Sequence, residues 1–303
     1  MMSILAKHSG IVVDNSKAKQ MNNELEARVS ASFASSEATK KENSSVFSEQ
    51  EYLHYDGRHY DLIYENYCLV PKLTTLDIPF WLDMASQYGD PILELSCGTG
   101  RVALPLADKG FQVTGIDIAD SMLELARKKS AQVEWIKADI QKFDLAKKFN
   151  LIIFPINCIW HLLNIEAVEA CFSCVKKHLE TGGKFVIDIF NPATKASLDI
   201  LFDSKKNLYS IYPHPDNKGT VVVTYSNELD LTQQIYKTKL FFKLVGEEQE
   251  RIEEITYRLY FPQELEALLK YNGFKIEKKF GAYDGSPFSS NSFQQIFVCS
   301  LQD

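Results

Sequence analysis

Five residues stand out for the chemistry that their types and spacing allow: Glu94, Gly98, Gly100, Asp117 and Asp139. The first three lie in "ILELSCGTGR", residues 92–101, where an apolar run carries one carboxylate and then breaks into two glycines around a threonine. Backbone without side chains can approach a ligand closely at such a turn. Gly98, Gly100 and Ala103 also satisfy G-x-G-x-x-A, the turn that seats a pyrophosphate on a helix N-terminus. That dinucleotide reading has no use for an acid inside the apolar run. Glu94 suits instead a ligand with a cationic group, such as an amine. Asp117, in "VTGIDIADSM", can accept two hydrogen bonds from a ribose diol, which fits a nicotinamide dinucleotide and an adenosyl ligand alike. Asp139, in "IKADIQKF", can hydrogen-bond an adenine amino group while Ile140 packs on the ring. Three acids at the ends of three successive apolar runs, with a Gly-x-Gly turn, are more specific than any one alone. They favour an adenosyl ligand with a charged tail.

Strands and helices must alternate to bring those positions together. "PILELSC" reads as a buried strand, short, apolar and followed by glycine. "RVALPLADKG" reads as a helix ended by Gly110, and "FQVTGIDI" as a second strand. "DSMLELARKKS" is a second helix that Asp120 or Ser121 can cap. "VEWIKADI" and "FNLIIFPIN" are strands three and four, and the helix over "IEAVEACFSCVKKHLETGG" stops at Gly182 and Gly183 before the strand "KFVIDIFNP". This alternation gives a doubly wound α/β fold. Between about residues 205 and 260 the period changes to two, in "TVVVTYSNEL", "QQIYKTKLFFKLV" and "ERIEEITYRLYF". These are antiparallel strands with one wet face. A helix from Pro262 to Gly273 and two closing strands complete the chain. The expected organisation is a disordered or weakly helical tail (1–50), an α/β core (51–200 and 261–303) and a small antiparallel β insertion (201–260) that serves as a substrate-side lid or a dimer surface.

Composition narrows the function classes. A net charge of −7 without a basic cluster argues against nucleic-acid binding as the default. No apolar run approaches the roughly 20 residues that span a bilayer, and the N-terminus shows no signal-peptide core. Asp14, Glu24 and Glu26 argue against a transit peptide. The cytoplasm is the expected compartment. Cys171 and Cys174 form a C-x-x-C on a helical pattern with no second ligand pair nearby, so they read as buried thiols, and no metal is expected.

"LELSCGTGR", "VTGIDIADSMLELAR", "KADIQKF" and "FNLIIFPINCIWHLL" resemble the successive motifs of class I S-adenosylmethionine-dependent methyltransferases. The resemblance covers about residues 51 to 200, and the C-terminal "GFKIEKKFGAYDGSPFSSNSFQQIFVCSL" resembles that fold's last antiparallel strand pair. It implies a Rossmann-like, mostly parallel seven-stranded sheet with an antiparallel last strand, binding S-adenosyl-L-methionine and releasing S-adenosyl-L-homocysteine. The insertion and the "YDLIY" segment resemble small-molecule N-methyltransferases, including those acting on sugar-nucleotide amines. Carried over by position, the resemblance implies that Glu94, Ser96, Gly98 and Gly100 line the methionine part, with Arg101 reaching toward its carboxylate. Asp117 then holds the ribose, Ile118 packs on the adenine beside Met122, and Asp139 and Ile140 bind the adenine edge. Pro155 and Asn157 lie by the sulfonium, and Tyr55, Tyr60 or Tyr64 close over the site. Ser96 departs from the glycine frequent at its position.

Methyl transfer is an in-line displacement in which alignment supplies much of the rate. His161, in "NCIWHLL", can take a proton from the acceptor near neutral pH, or can be a packed histidine; Tyr60 is a second catalytic candidate. The expected reaction is methylation of N or O on a small molecule by a monomer or homodimer. A non-catalytic cofactor-binding regulator and a NAD-dependent oxidoreductase are the alternatives. "FPIN" stands where base and amide methylases carry an Asn-Pro-Pro-type motif, so those acceptors have no specific support.

Overall fold

The computed structural model describes residues 52–66 and 75–302; the expected tail, residues 1–50, lies outside them. A short aromatic segment enters helix α1 (Gly57–Glu65), and α2 (Ile78–Tyr88) leads into the first strand. The core then runs β1 (Ile92–Leu95), α3 (Ala103–Asp108), β2 (Val113–Asp117), α4 (Asp120–Lys129), β3 (Glu134–Lys137), β4 (Phe149–Phe154), α5 (Ile165–His178) and β5 (Leu179–Phe190). After α6 (Lys195–Leu201) come β6 (Asn207–Pro213), β7 (Thr220–Asp230), β8 (Ile235–Leu244) and β9 (Glu250–Arg258). The chain closes with α7 (Pro262–Tyr271), β10 (Phe274–Phe280) and β11 (Gln294–Leu301).

Seven strands form the main sheet in the order β10-β11-β5-β4-β1-β2-β3. β1, β2, β3, β4 and β5 pair in parallel, and β11 runs antiparallel to both β5 and β10. Helices cover both faces. One core packs Phe154, Phe172, Phe185 and Leu265 on one side of the sheet, and the other packs Trp81, Met84, Leu106 and Ile153 on the opposite side. Strand β1, the middle one of the five parallel strands, is buried along its whole length, Glu94 included. The order reverses between the neighbours β1 and β4, so the connections that leave their carboxyl ends go to opposite faces of the sheet and leave a crevice where doubly wound sheets bind ligands.

A second sheet, β6-β7-β8-β9, is antiparallel throughout. β8 alternates half-buried and buried residues along its length, as a period-two segment with one covered face must. That face packs Tyr212, Tyr225, Leu240 and Phe242 against Leu53 and Ile63 of the N-terminal segment and α1.

The sequence expectations are corrected at several local points. β6 has no counterpart among the three predicted period-two segments. It is an edge strand with a register shift and a terminal proline, features that blur alternation. Helix α6 is also additional. Helix α5 stops at His178, four residues before Gly182, because Leu179 already pairs with Phe149 of β4. Neither Asp120 nor Ser121 caps α4: Ala119 holds the N-cap, and the Ser121 hydroxyl donates to the carbonyl of Tyr55 at 2.7 Å.

Gly100, at φ 90°, has its Cα against the ring of Trp135, and a Cβ there would lie 2.6 Å from the indole. Gly100→Ala therefore combines backbone strain with overpacking. It should cost about 2–4 kcal/mol of unfolding free energy, read from urea denaturation of the ligand-free protein.

Candidate active site

One cavity of about 1480 Å³ opens at the carboxyl ends of β1 to β4, between the main sheet and the second sheet. Of the residues singled out in the sequence, Tyr55, Tyr60, Tyr64, Glu94, Ser96, Gly98, Arg101, Asp117, Ile118, Met122, Asp139, Ile140, Pro155, Asn157 and His161 all line it. Gly100 does not; its missing side chain makes room for Trp135. The two glycines of the turn thus do different work. A Cβ on Gly98 would meet nothing within 4 Å, so this glycine keeps open space beside the cavity at φ 55°. Ser96 has φ 54°, the left-handed region where glycine is the easy choice.

Glu94 is 2% exposed, and its Oε2 has no hydrogen-bond partner. Burial raises its carboxyl to about 8, against the opposing pull of the Arg101 guanidinium and the Ala103 amide. Asp117 accepts from the Gly98 amide at 2.8 Å and from the Ala119 amide at 2.9 Å, which fixes the glycine turn to the end of β2. Burial raises its pKa too, with those amides opposing. Asp139 lies two residues beyond the end of β3 rather than at its last pair, and it accepts from the Gln141 amide. Ile118 is 64% exposed, an apolar side chain facing open space at the end of β2.

Arg101 lines the cavity as half of a bidentate pair. Its two terminal nitrogens donate to Asp77 at 2.6 and 2.8 Å, and Asp77 also accepts from the indole of Trp81. This pair ties the start of α2 to the start of α3.

Beyond β4 the chain makes a tight reversal, with Ile156 at φ 44° and Asn157 at φ 58°. Such strain persists where surrounding contacts over-determine it. Asp188 of β5 accepts from the Ile156 amide at 3.1 Å, and the Asn157 side chain accepts from the Phe190 amide at 2.5 Å. The hydroxyl of Tyr283 donates to Asp188 at 2.7 Å. Burial raises Asp188 to about 7, and its Oδ1 is unpartnered. Sequence reading missed Asp77 and Asp188. For Asp188 a signal existed, since "VIDIF" holds a lone acid in an apolar strand just as "ILEL" does.

His161 closes the turn over Cys158–His161 and is exposed to the cavity. Its ring stands 6.1 Å from Tyr55 and 5.1 Å from Tyr257, and burial lowers its pKa. Tyr60 shifts the other way: burial lifts its phenol well above the ordinary range. The N-terminal aromatic segment is fastened across the cavity at three places. Asp61 accepts from Thr99 and pairs with Lys129, both at 2.6 Å. The Ser121 hydroxyl holds the Tyr55 carbonyl. Glu253 of β9, 3% exposed, accepts from the amides of Leu53 and His54.

Among the described residues no group of His, Cys, Asp and Glu is arranged to hold a metal ion, and no helix is long and apolar enough to cross a membrane. Cys171 is buried and Cys174 partly so on α5.

Residues 92–183 match the family model described as a methyltransferase domain. YqeM of Bacillus subtilis (strain 168), which carries a methyltransferase name, is 26% identical over 227 residues, 72% of this chain and 86% of that protein. The chain spans only 36% and 57% of the length of two further curated relatives. Among solved structures, the CcbJ methyltransferase from Streptomyces caelestis is 23% identical over 76% of this chain and 96% of its own, with a TM-score of 0.64. The sugar N-methyltransferase KedS8 from Streptoalloteichus sp ATCC 53650 is 18% identical over 88% of this chain and 100% of its own, with a TM-score of 0.65. Both share the fold.

Glu253 offers a direct test of how the aromatic segment is held. Glu253→Gln keeps the shape but weakens the two bonds from the Leu53 and His54 amides and removes the charge paired with Arg251 at 2.8 Å. Amide exchange across α1 should speed up by an amount equivalent to about 1–3 kcal/mol, while exchange in β4 stays unchanged.

Proposed function

We propose, from the premise that this chain carries a class I S-adenosylmethionine-dependent methyltransferase domain, that it methylates N or O of a small-molecule acceptor bound between its two sheets. The observation that carries this reading is the division of the cavity. Acids at the ends of β1, β2 and beyond β3 occupy one side, and aromatic side chains of the second sheet occupy the other. At about 1480 Å³ it exceeds the roughly 300–1,000 Å³ of a site for one drug-sized ligand, as a site for cofactor plus acceptor should.

The cofactor's needs match what the chain offers. Glu94 presents an orphaned oxygen to an ammonium group, with Ser96 and the open space at Gly98 beside it. Asp117 keeps lone pairs for a ribose diol, Ile118 and Met122 give an apolar surface for adenine, and Asp139 with Ile140 borders its edge. Pro155 and Asn157 form the wall near the reacting centre, and Tyr55, Tyr60 and Tyr64 cover it. S-adenosyl-L-methionine supplies the methyl group: the acceptor lone pair bonds the methyl carbon as the carbon–sulfur bond breaks and its electron pair stays on sulfur. Of the two catalytic candidates, His161 is the one able to take up a proton, since burial keeps its imidazole neutral; burial also keeps the Tyr60 phenol protonated. The sheet-to-sheet arrangement supports the second sheet as the acceptor-side lid.

Glu94 gives a test with a definite sign. Its folded pKa, about 8, lies above the unfolded 4.5, so its contribution to stability is present below about pH 4.5 and is lost as pH rises through about 8. A bound ammonium reverses that cost. In Glu94→Gln the ligand-free thermal midpoint should match wild type near pH 4.5 and equal or exceed it above about pH 8. The midpoint shift produced by S-adenosyl-L-homocysteine should be lost in the variant. Wild-type affinity for S-adenosyl-L-homocysteine, measured by calorimetry, should climb with pH and level off above about 8. Unaltered cofactor affinity in Glu94→Gln would refute the assignment.

A further inference from the structure

The acceptor half of the cavity has a distinctive charge pattern. Among the described residues that line it, the part formed by the second sheet and the turn after β4 carries no Asp, Glu, Lys or Arg side chain. Its lining is a connected run of rings. Trp160 lies 5.9 Å from Phe190, 6.1 Å from Tyr236 and 5.8 Å from Tyr257, and Tyr257 continues the run to His161. Besides the tyrosine hydroxyls, its uncharged polar groups on the sheet are Asn227 and Thr238, which hydrogen-bond each other at 3.3 Å. The cations that line the other half, Arg101 and Lys129, are paired with Asp77 and Asp61.

We propose that the acceptor is an uncharged aromatic compound bearing a hydroxyl group, held against the rings of Trp160, Tyr236 and Tyr257 with its hydroxyl at His161. This rests on the methyltransferase reading above and names the substrate class for that site. Three physical arguments favour it. Aromatic walls gain most from a planar apolar partner, through offset or edge-to-face contacts. An anionic acceptor would lose its hydration with no cation on that half to receive it, and would face Glu94, Asp117 and Asp139 across the cavity. A cationic amine could use the ring faces, but it would share the cavity with the cofactor's own positive charge and find no carboxylate on that half. A hydroxyl loses its proton to the neutral His161 imidazole as the new oxygen–carbon bond forms, and the imidazolium returns the proton to solvent.

The test uses one ring in three charge states: 2-naphthol, 2-naphthoate and 2-(aminomethyl)naphthalene. Binding to the full chain is read by quenching of tryptophan fluorescence at neutral pH with S-adenosyl-L-homocysteine present. Naphthol should bind at least about tenfold more tightly than either charged analogue. With S-adenosyl-L-methionine, mass spectrometry should find the naphthol oxygen methylated. Trp160→Phe should remove most of the quenching without changing S-adenosyl-L-homocysteine affinity, which places the ligand at this wall. Asn227→Asp, an isosteric change, should shift preference toward the ammonium analogue by about tenfold, again with cofactor affinity unchanged. The proposal is overturned if naphthoate or the amine binds as well as naphthol, if the amine alone is methylated, if none of the three binds, or if Asn227→Asp leaves the preference as it was. Absence of S-adenosyl-L-homocysteine binding in calorimetry would instead overturn the cofactor reading beneath it.

Discussion

A carboxylate sits inside the middle one of the five parallel strands with one oxygen unpartnered, and the architecture around it follows from that. Burying Glu94 in β1 is unfavourable on its own, since a desolvated acid either protonates or needs a counter-charge. The nearby Arg101 does not neutralise it outright, because Asp77 holds both of its terminal nitrogens. The strand end therefore keeps a buried acid with a raised pKa and an unpartnered oxygen.

Around that point the backbone is held by other acids. Asp117 accepts from Gly98 and Ala119, so the glycine turn and the end of β2 move as one piece. Asp188 secures the left-handed reversal after β4, and Tyr283 supports Asp188 from the loop between β10 and β11. The last two strands thus have a stake in the site although they lie toward the far edge of the sheet. Glu253 does the equivalent for the second sheet, binding the aromatic segment that covers the cavity. The reaction asks little of side chains beyond positioning, and positioning is what these contacts provide.

Much of this was legible in the order of residues. Alternating apolar runs and amphipathic segments specify a parallel sheet, because consecutive parallel strands need a crossover between them. Strand ends carrying Glu94, Asp117 and Asp139 then converge at one edge for topological reasons. Local competition was less legible. The end of α5 is set by Leu179 pairing with β4, which outweighs the glycines that follow, and the edge strand β6 draws its pairing from β7 rather than from its own pattern. Gly98 and Gly100 look alike in "GTG", yet one faces open space and the other faces Trp135, a residue distant along the chain.

The sequence by itself determined the doubly wound core and the acids at or near its strand ends, since periodicity and strand-end position are local properties. Only the tertiary structure decided what each acid meets: Arg101 for Asp77, the Ile156 amide and Tyr283 for Asp188, and no partner for one oxygen of Glu94. It also decided that the rings of Trp160, Tyr236 and Tyr257 share one wall without a charge beside them. Those are long-range pairings, and the energy of a buried charge or ring depends on neighbours that no stretch of sequence contains.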